Sequence, residues 1–218
     1  YSSAASDVYK RQVYSVCLIY TVCPIYSVCY ICGVCLLCFI CMRTIVFANP
    51  KGGVGKSTLY DEVAWTLEQR GARVTTYQLD NQSSAYHGTN EVEDADYALV
   101  DTPARPDADT VAAINSADLV VVPVGPSPRD LAPTAHFVSQ VTAPIGIVLN
   151  EHSPSRRASQ DLEQFAHERE WNILGKVPTA VAFKNTPEPP SGVVTHSSSS
   201  PAAHAIRYLT DQIVEATK

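Results

Sequence analysis

Cysteine is absent from most of this chain: all seven cysteines lie between Cys17 and Cys41, and none follows. The sequence after Cys41 therefore has no disulfide and no cysteine ligands for a metal cluster. Basic residues are also few, with 16 lysines and arginines against 22 acidic residues and a net charge of −6. This balance excludes a uniformly basic nucleic-acid-binding protein, although it is compatible with local basic patches.

The single methionine, Met42, marks an abrupt change in composition. Residues 13–41 form a repetitive apolar run, in which cysteines recur every six and then every three residues. From Met42 onward the composition is that of an ordinary α/β protein, and a chain of 218 residues can bury an adequate core for one such domain. We therefore expect a cysteine- and tyrosine-rich segment over 1–41 and a globular domain over 42–218.

Three interpretations of the segment 1–41 compete. Its apolar run is uncharged and long enough to span a membrane core of about 30 Å, and its C-x₂-C spacing also occurs in iron–sulfur sites. The spacing, however, continues monotonously, whereas a cluster needs a few ligands presented on turns. The repeats resemble translated repetitive DNA, the opening YSSAASDVYKRQ resembles translated sequencing adapter, and Met42 lies where an authentic start is expected. We favour a non-native segment and exclude it from fold reasoning.

The most informative stretch is the glycine loop, defined as Asn49–Thr58 with the sequence NPKGGVGKST. An apolar run over 44–47 precedes it and a helical pattern follows. In such an arrangement, successive backbone N–H groups surround a phosphate at a helix N-terminus. Lys56 would reach the terminal phosphates, and the Ser57 hydroxyl would ligate Mg²⁺. The residues assigned to the nucleotide are Gly52, Gly53, Val54, Gly55, Lys56, Ser57 and Thr58.

A second lysine, Lys51, lies early in the loop, after Pro50 in place of the usual glycine. KGGVGKS with two lysines resembles the deviant Walker A motif of the ParA/MinD family of P-loop ATPases. This resemblance implies ATP and Mg²⁺ as ligands and catalytic roles for Lys51 and Lys56. It also implies a homodimer on ATP binding, in which Lys51 contacts the partner's phosphates.

Two aspartates at the ends of apolar strands complete the expected catalytic and metal site. LDNQSS resembles the family's D-x-D-P-Q-x-S segment, with Asp80 as its second aspartate and Gln78 in place of its first. YALVDTPA resembles its Walker B segment, with Asp101 at the strand end. Phosphoryl transfer needs carboxylates near Mg²⁺ and the attacking water. The resemblance thus assigns Ser57, Asp80 and Asp101 to the metal, while Gln78 bears on the hydrolysis rate and not on nucleotide binding.

Two later stretches support the resemblance. ADLVVVPVGPSPRDL, residues 117–131, matches the family's AD-apolar-PV-x-PSPxDL pattern over about fifteen residues. Within it we interpret Asp130 as a partner of the helix dipole in a first turn. Asn150 follows an apolar run, and the resemblance implies that its amide contacts the adenine ring, since an amide can both donate and accept. From the residues alone, Asn150 could equally be a turn residue.

Apolar runs alternate with helical patterns along the domain, without hairpin signals. The order favours an α/β fold of the three-layer P-loop NTPase type, with a mostly parallel sheet flanked by helices on both faces. We predict strands near 44–48, 73–79, 97–100, 118–124, 144–149 and 173–177. We predict helices over 57–70, 108–117, 155–171 and 202–216, and one beginning near Arg129.

The resemblance implies an ATP-dependent switch ATPase in plasmid or chromosome partition or cargo positioning, acting in the cytoplasm or on the nucleoid. It implies non-specific DNA and a ParB-like activator protein as partners. Membrane binding is not expected, because the last helix lacks a basic face. Two alternatives stay open: a membrane-anchored ATPase that uses residues 13–41, and a nucleotide-binding protein with very weak hydrolysis. An iron–sulfur carrier of the same superfamily is disfavoured, because no cysteine follows Cys41.

Overall fold

The computed structural model of the protein describes residues 42–80, 82, 85–180, 183 and 191–218. Residues 1–41, with their three interpretations, lie outside the described residues. Among the described residues, no helix has both the length and the apolar character needed to cross a membrane.

One sheet contains six parallel strands: β1 (Arg43–Phe47), β2 (Val74–Gln78), β3 (Tyr97–Asp101), β4 (Leu119–Val124), β5 (Ile145–His152) and β6 (Ile173–Pro178). Their order across the sheet is β2-β3-β1-β4-β5-β6. The predicted parallel α/β fold is therefore confirmed. Parallel strands are covered on both faces, which explains why β4 is apolar and buried along its whole length.

Helices cover both faces of this sheet. Successive residues of β1 point to opposite faces, so Ile45 packs with the first and last helices and Val46 with the second and fourth. The short helix Val193–His196 was not predicted, since four residues are too few to show a helical period. The described helices are α1 (Lys56–Gln69), α2 (Ala108–Asn115), α3 (Pro128–Gln140), α4 (Arg157–Glu168), α5 (Val193–His196) and α6 (Pro201–Ala216).

The strand order reverses at β1, which lies between β3 and β4. The chain leaves β1 towards one edge of the sheet and later continues from β4 towards the other. Loops that follow strands on the two sides of such a switch point diverge, and the crevice between them is where open α/β sheets bind ligands. The glycine loop follows β1 at this position.

Asp61 of α1 holds the segment that follows β2. This buried carboxylate accepts hydrogen bonds from the backbone N–H groups of Tyr86 and His87, at 2.8 and 2.9 Å, and lies 2.8 Å from Nδ1 of His87. Burial opposes protonation of His87, but its hydrogen bonds to Asp61 and Glu68 outweigh that effect and raise its pKa to about 9. The stabilisation from the protonated ring is thus complete below about pH 6.5 and is lost as the pH rises through 9.

The next residue, Glu62, holds α5 against α1. Its carboxylate is buried and accepts a hydrogen bond of 2.8 Å from the N–H of Val193. Burial raises the pKa of Glu62 to about 7, although the bond from Val193 opposes the rise. Neutral Glu62 therefore suits this position better than the charged form.

We expect Glu62→Gln to stabilise the protein at pH 8. A raised folded-state pKa gives a contribution that is present below about pH 4.5 and is lost as the pH rises through 7, and Gln avoids that loss. The free energy of unfolding in urea should rise by on the order of 2 kcal/mol at pH 8, with the difference shrinking towards pH 4.5. Glu93→Gln, at an exposed carboxylate, is the control. An effect of Glu62→Gln that does not vary with pH would contradict this account.

Candidate functional site

The glycine loop joins the end of β1 to the first turn of α1. Gly53 and Gly55 have φ angles of 78° and 92°, in the left-handed region that glycine adopts without a steric cost. Gly55 is the N-cap of α1, so no cap side chain competes for the N–H groups of the first turn. These groups and the positive end of the helix dipole favour an anion here.

Asn49 ties the start of the loop to the other half of the sheet. Its side chain is only 2% exposed. Its Nδ2 donates to the carbonyl of Pro123 at 2.8 Å and to Oγ1 of Thr134 at 3.2 Å, while its Oδ1 accepts from the N–H of Lys51 at 2.9 Å. Sequence reasoning assigned Asn49 no role, although an asparagine between a buried strand and a proline is a signal for such a local turn.

Lys51 contacts its own chain in this structure. Its Nζ lies 3.4 Å from Oδ1 of Asp130, and the two side chains are 51% and 11% exposed. Asp130 is in the first turn of α3, as expected for a partner of the helix dipole, but the pairing with Lys51 was not predicted. The two residues are far apart in sequence, and only the fold brings them together.

Lys56 is buried beside the loop. Its Nζ donates to the carbonyl of Lys51 at 3.3 Å. Burial lowers the pKa of Lys56, while the carboxylates of Asp101 and Asp80 act in the opposite direction. The ammonium group is thus held where a polyanion would restore its preference for the charged form.

Ser57 and Asp101 meet where β3 ends. Oγ of Ser57 donates to Oδ2 of Asp101 at 2.7 Å, and the carboxylate is fully buried. Thr102 fixes this strand end, since its N–H and its hydroxyl both donate to the carbonyl of Phe47, at 3.3 and 2.9 Å. A hydroxyl and a carboxylate are the hard oxygen ligands that Mg²⁺ prefers, so the two residues fit that cation.

The described residues contain no group of three His, Cys, Asp or Glu side chains suited to a metal. Mg²⁺ beside nucleotides usually keeps several water and phosphate oxygens as ligands, and Asp80 stays a predicted member of its shell.

Asp80 lies across the cavity from the glycine loop. It follows β2, and its Oδ1 accepts a hydrogen bond of 2.9 Å from the N–H of Gln82. Gln78, which ends β2, pairs in register with Asp101, and its N–H donates to Oγ1 of Thr89 at 3.1 Å. The cavity has a volume of about 530 Å³ and is lined by Gly52, Gly53, Gly55, Lys56, Ser57, Thr58, Asp80, Gln82, Pro103, Ala104 and Arg105.

Most of the predicted site residues thus surround one cavity, and Asp101 adjoins it through Ser57. Sequence reasoning missed Pro103, Ala104 and Arg105 as lining residues. Their position directly after the DT of the strand end could have indicated them, because that end faces the glycine loop.

Asn150 supports the glycine loop from β5. It lies within the strand, which continues to His152 because His152 pairs with Pro178 of β6. Its Nδ2 donates to the carbonyl of Val54 at 2.9 Å, and a Cβ built on Gly55 would lie only 2.3 Å from the same atom. The expected contact of Asn150 with adenine stays a prediction.

We expect Gly55→Ala to weaken ATP binding by roughly tenfold or more, because the new methyl group meets Asn150 and the positive φ adds strain. Calorimetric titration with ATP and thermal denaturation measure the two effects. Gly88→Ala is the matched control, because a Cβ there meets no atom within 4 Å. Equal ATP affinities for the two variants would contradict this description of the loop.

Comparison with protein families matches residues 45–189 to the CobQ/CobB/MinD/ParA nucleotide binding domain. The match begins in β1, includes the glycine loop and all six strands, and covers well over half of the chain. A comparison with curated protein sequences gives no significant match.

Solved structures with the same fold share little sequence with this chain. A protein assigned to plasmid partition from Borrelia burgdorferi, bound to AMPPNP, has 13% identity and a TM-score of 0.60, covering 80% of this chain and 98% of that one. The septum site-determining protein MinD of Pyrococcus horikoshii, complexed with Mg-ADP, has 16% identity and a TM-score of 0.62, covering 79% and 96%. A complex of a Cyanothece McdA variant with ATP has 14% identity and a TM-score of 0.65, covering 79% and 96%.

The parallel sheet, the glycine loop at its switch point and the domain match agree with one another. The chain belongs to the CobQ/CobB/MinD/ParA nucleotide-binding domain family.

Proposed function

We propose that the protein is an ATP-dependent switch ATPase, which dimerises when ATP binds and separates after hydrolysis. The observation that carries this proposal is the cavity of about 530 Å³ between the glycine loop and Asp80, with Lys56 in its wall. A steady-state measurement of ATP hydrolysis tests it directly.

Each residue of the cavity has a task in this proposal. The N–H groups of Gly52–Ser57 bind phosphate oxygens, and Lys56 contacts the terminal phosphates. Ser57 and Asp101 would hold Mg²⁺, which when bound neutralises charge on the phosphates. Asp80 orients the attacking water, and Asn150 contacts the base.

The trans role of Lys51 is supported by its exposure in this structure. Half of its side chain is exposed, and its one described ion pair is with Asp130 at 3.4 Å. Such a partly exposed pair is worth about 0–1 kcal/mol, so a triphosphate of the partner subunit can compete for the lysine. ATP thereby favours the dimer, through contacts that only the dimer supplies.

We expect Lys51→Ala to bind ATP as a monomer. Sedimentation velocity of the full chain with AMPPNP should show a dimer for the wild type and a monomer for the variant, while calorimetry shows that nucleotide binding is retained. Lys56→Ala should lose nucleotide binding altogether. Lys176→Ala is the matched control, because Lys176 is similarly exposed and also ion-paired. A Lys51→Ala variant that dimerises like the wild type would remove the trans role.

A second candidate is a nucleotide-binding protein that barely hydrolyses ATP, and Gln78 favours it. If the position of Gln78 limits hydrolysis, Gln78→Asp should raise kcat by about tenfold or more, because it supplies a carboxylate near the attacking water. Gln78→Asn keeps an uncharged amide in nearly the shape of aspartate and should leave kcat unchanged. Equal rates for the wild type and Gln78→Asp would remove this explanation.

For the biological role we propose partition or cargo positioning in the cytoplasm, with non-specific DNA and a ParB-like activator protein as partners. The support is that solved structures with this fold include a partition protein, a septum site-determining protein and McdA. Stimulation of ATP hydrolysis by DNA together with the activator would support this role. The net charge of −6 gives no independent support for DNA binding.

A further inference from the structure

Arg105 is the third cation near the glycine loop, and none of the proposed roles uses it. It lies two residues after Pro103 in the segment that follows β3. Pro103, Ala104 and Arg105 line the same cavity as the glycine loop and Asp80, so this arginine can reach a ligand bound there.

The segment that carries Arg105 is anchored at both ends. Before it, Thr102 donates two hydrogen bonds to the carbonyl of Phe47. After it, Asp107 caps α2, and its Oδ1 accepts from the N–H of Thr110 at 2.8 Å and from its hydroxyl at 2.7 Å. Prolines stand on both sides of the Ala104–Arg105 pair and restrict its backbone. Because the backbone is held, the position of the guanidinium depends mainly on its own side-chain rotamer.

The charge of Arg105 is available to a ligand. Its side chain is exposed, and none of the ion pairs within the described part of the chain involves it. Lys51, by contrast, is paired with Asp130, and the buried Lys56 donates to the carbonyl of Lys51. The planar fork of a guanidinium matches two phosphate oxygens at once.

We propose that Arg105 binds the terminal phosphate of ATP within the same subunit and stabilises the charge that develops there during hydrolysis. The inference rests on the proposed ATPase function and adds a catalytic residue to it. In the reaction the water oxygen bonds to the terminal phosphorus, and the bond from that phosphorus to the bridging oxygen breaks. The electron pair leaves with ADP, and a proton of the water passes to solvent. An arginine that contacts the transferred group is a known means of stabilising such a transition state.

The test uses the full chain with Arg105→Ala and Arg105→Lys, compared with the wild type. Calorimetry gives the dissociation constants of AMPPNP and of ADP, and steady-state assays give kcat and KM. For Arg105→Ala we expect AMPPNP to bind about tenfold more weakly, while the ADP affinity changes less than about threefold. We expect kcat to fall on the order of a hundredfold. Arg105→Lys should lie between, since it keeps the charge but loses the fork.

Arg169→Ala is the matched control. Arg169 caps the C-terminal end of α4, near the amino ends of the strands, whereas the glycine loop lies at their carboxyl ends. Its guanidinium carbon lies 3.7 Å from the ring centre of Phe165. It should bind both nucleotides and hydrolyse ATP like the wild type. Circular dichroism shows whether each variant is folded. If Arg105→Ala does not fold, the nucleotide affinities and kcat of Arg105→Lys test the proposal instead.

The outcomes separate the two proposals. A wild type that neither binds nor hydrolyses ATP overturns the ATPase function itself. If the wild type hydrolyses ATP and the Arg105 variants match it, only the role of Arg105 is overturned. Equal weakening of AMPPNP and ADP also overturns that role, because a contact with the terminal phosphate must distinguish the two ligands.

Discussion

The hydrogen bond between Ser57 and Asp101 is the contact on which the candidate site depends. It joins the first turn of α1 to the end of β3, and it lies where a buried carboxylate would otherwise be costly. Burial is also costly for the ammonium group of Lys56: it lowers the pKa of this lysine, and Asp101 and Asp80 offset only part of the effect. Charges of both signs are therefore kept partly desolvated at one edge of the sheet, in an arrangement that a nucleotide with its cation would complete.

α1, which begins at the glycine loop, is hydrogen-bonded to two other parts of the domain. Asp61 holds the segment after β2 through Tyr86 and His87, and Glu62 holds the start of α5 through Val193. Both carboxylates are buried, and they are neighbours on one helix turn. α1 therefore connects the glycine loop to both of these segments through direct hydrogen bonds.

Three cations near the cavity differ in what surrounds them. Lys56 is buried, Lys51 is half exposed and paired with Asp130, and Arg105 is exposed on a short anchored segment. In the proposed mechanism these environments match three tasks. The buried Lys56 makes a fixed contact with the phosphates, and Lys51 can leave Asp130 to contact the partner subunit. Arg105 presents a positioned guanidinium to the transferred phosphate.

The sequence by itself determined the fold class and the approximate strand and helix positions, and it predicted most of the residues that line the cavity. These follow from local patterns, such as the apolar runs, the glycine loop and the aspartates at strand ends. It could not determine that Asn49 bonds across to Pro123, that Asn150 holds Val54, or that Lys51 pairs with Asp130. Each of these pairs is distant in the chain, so it has no local signal. Only the strand order around β1, with β3 on one side and β4 on the other, brings such residues and Arg105 to the same edge of the sheet.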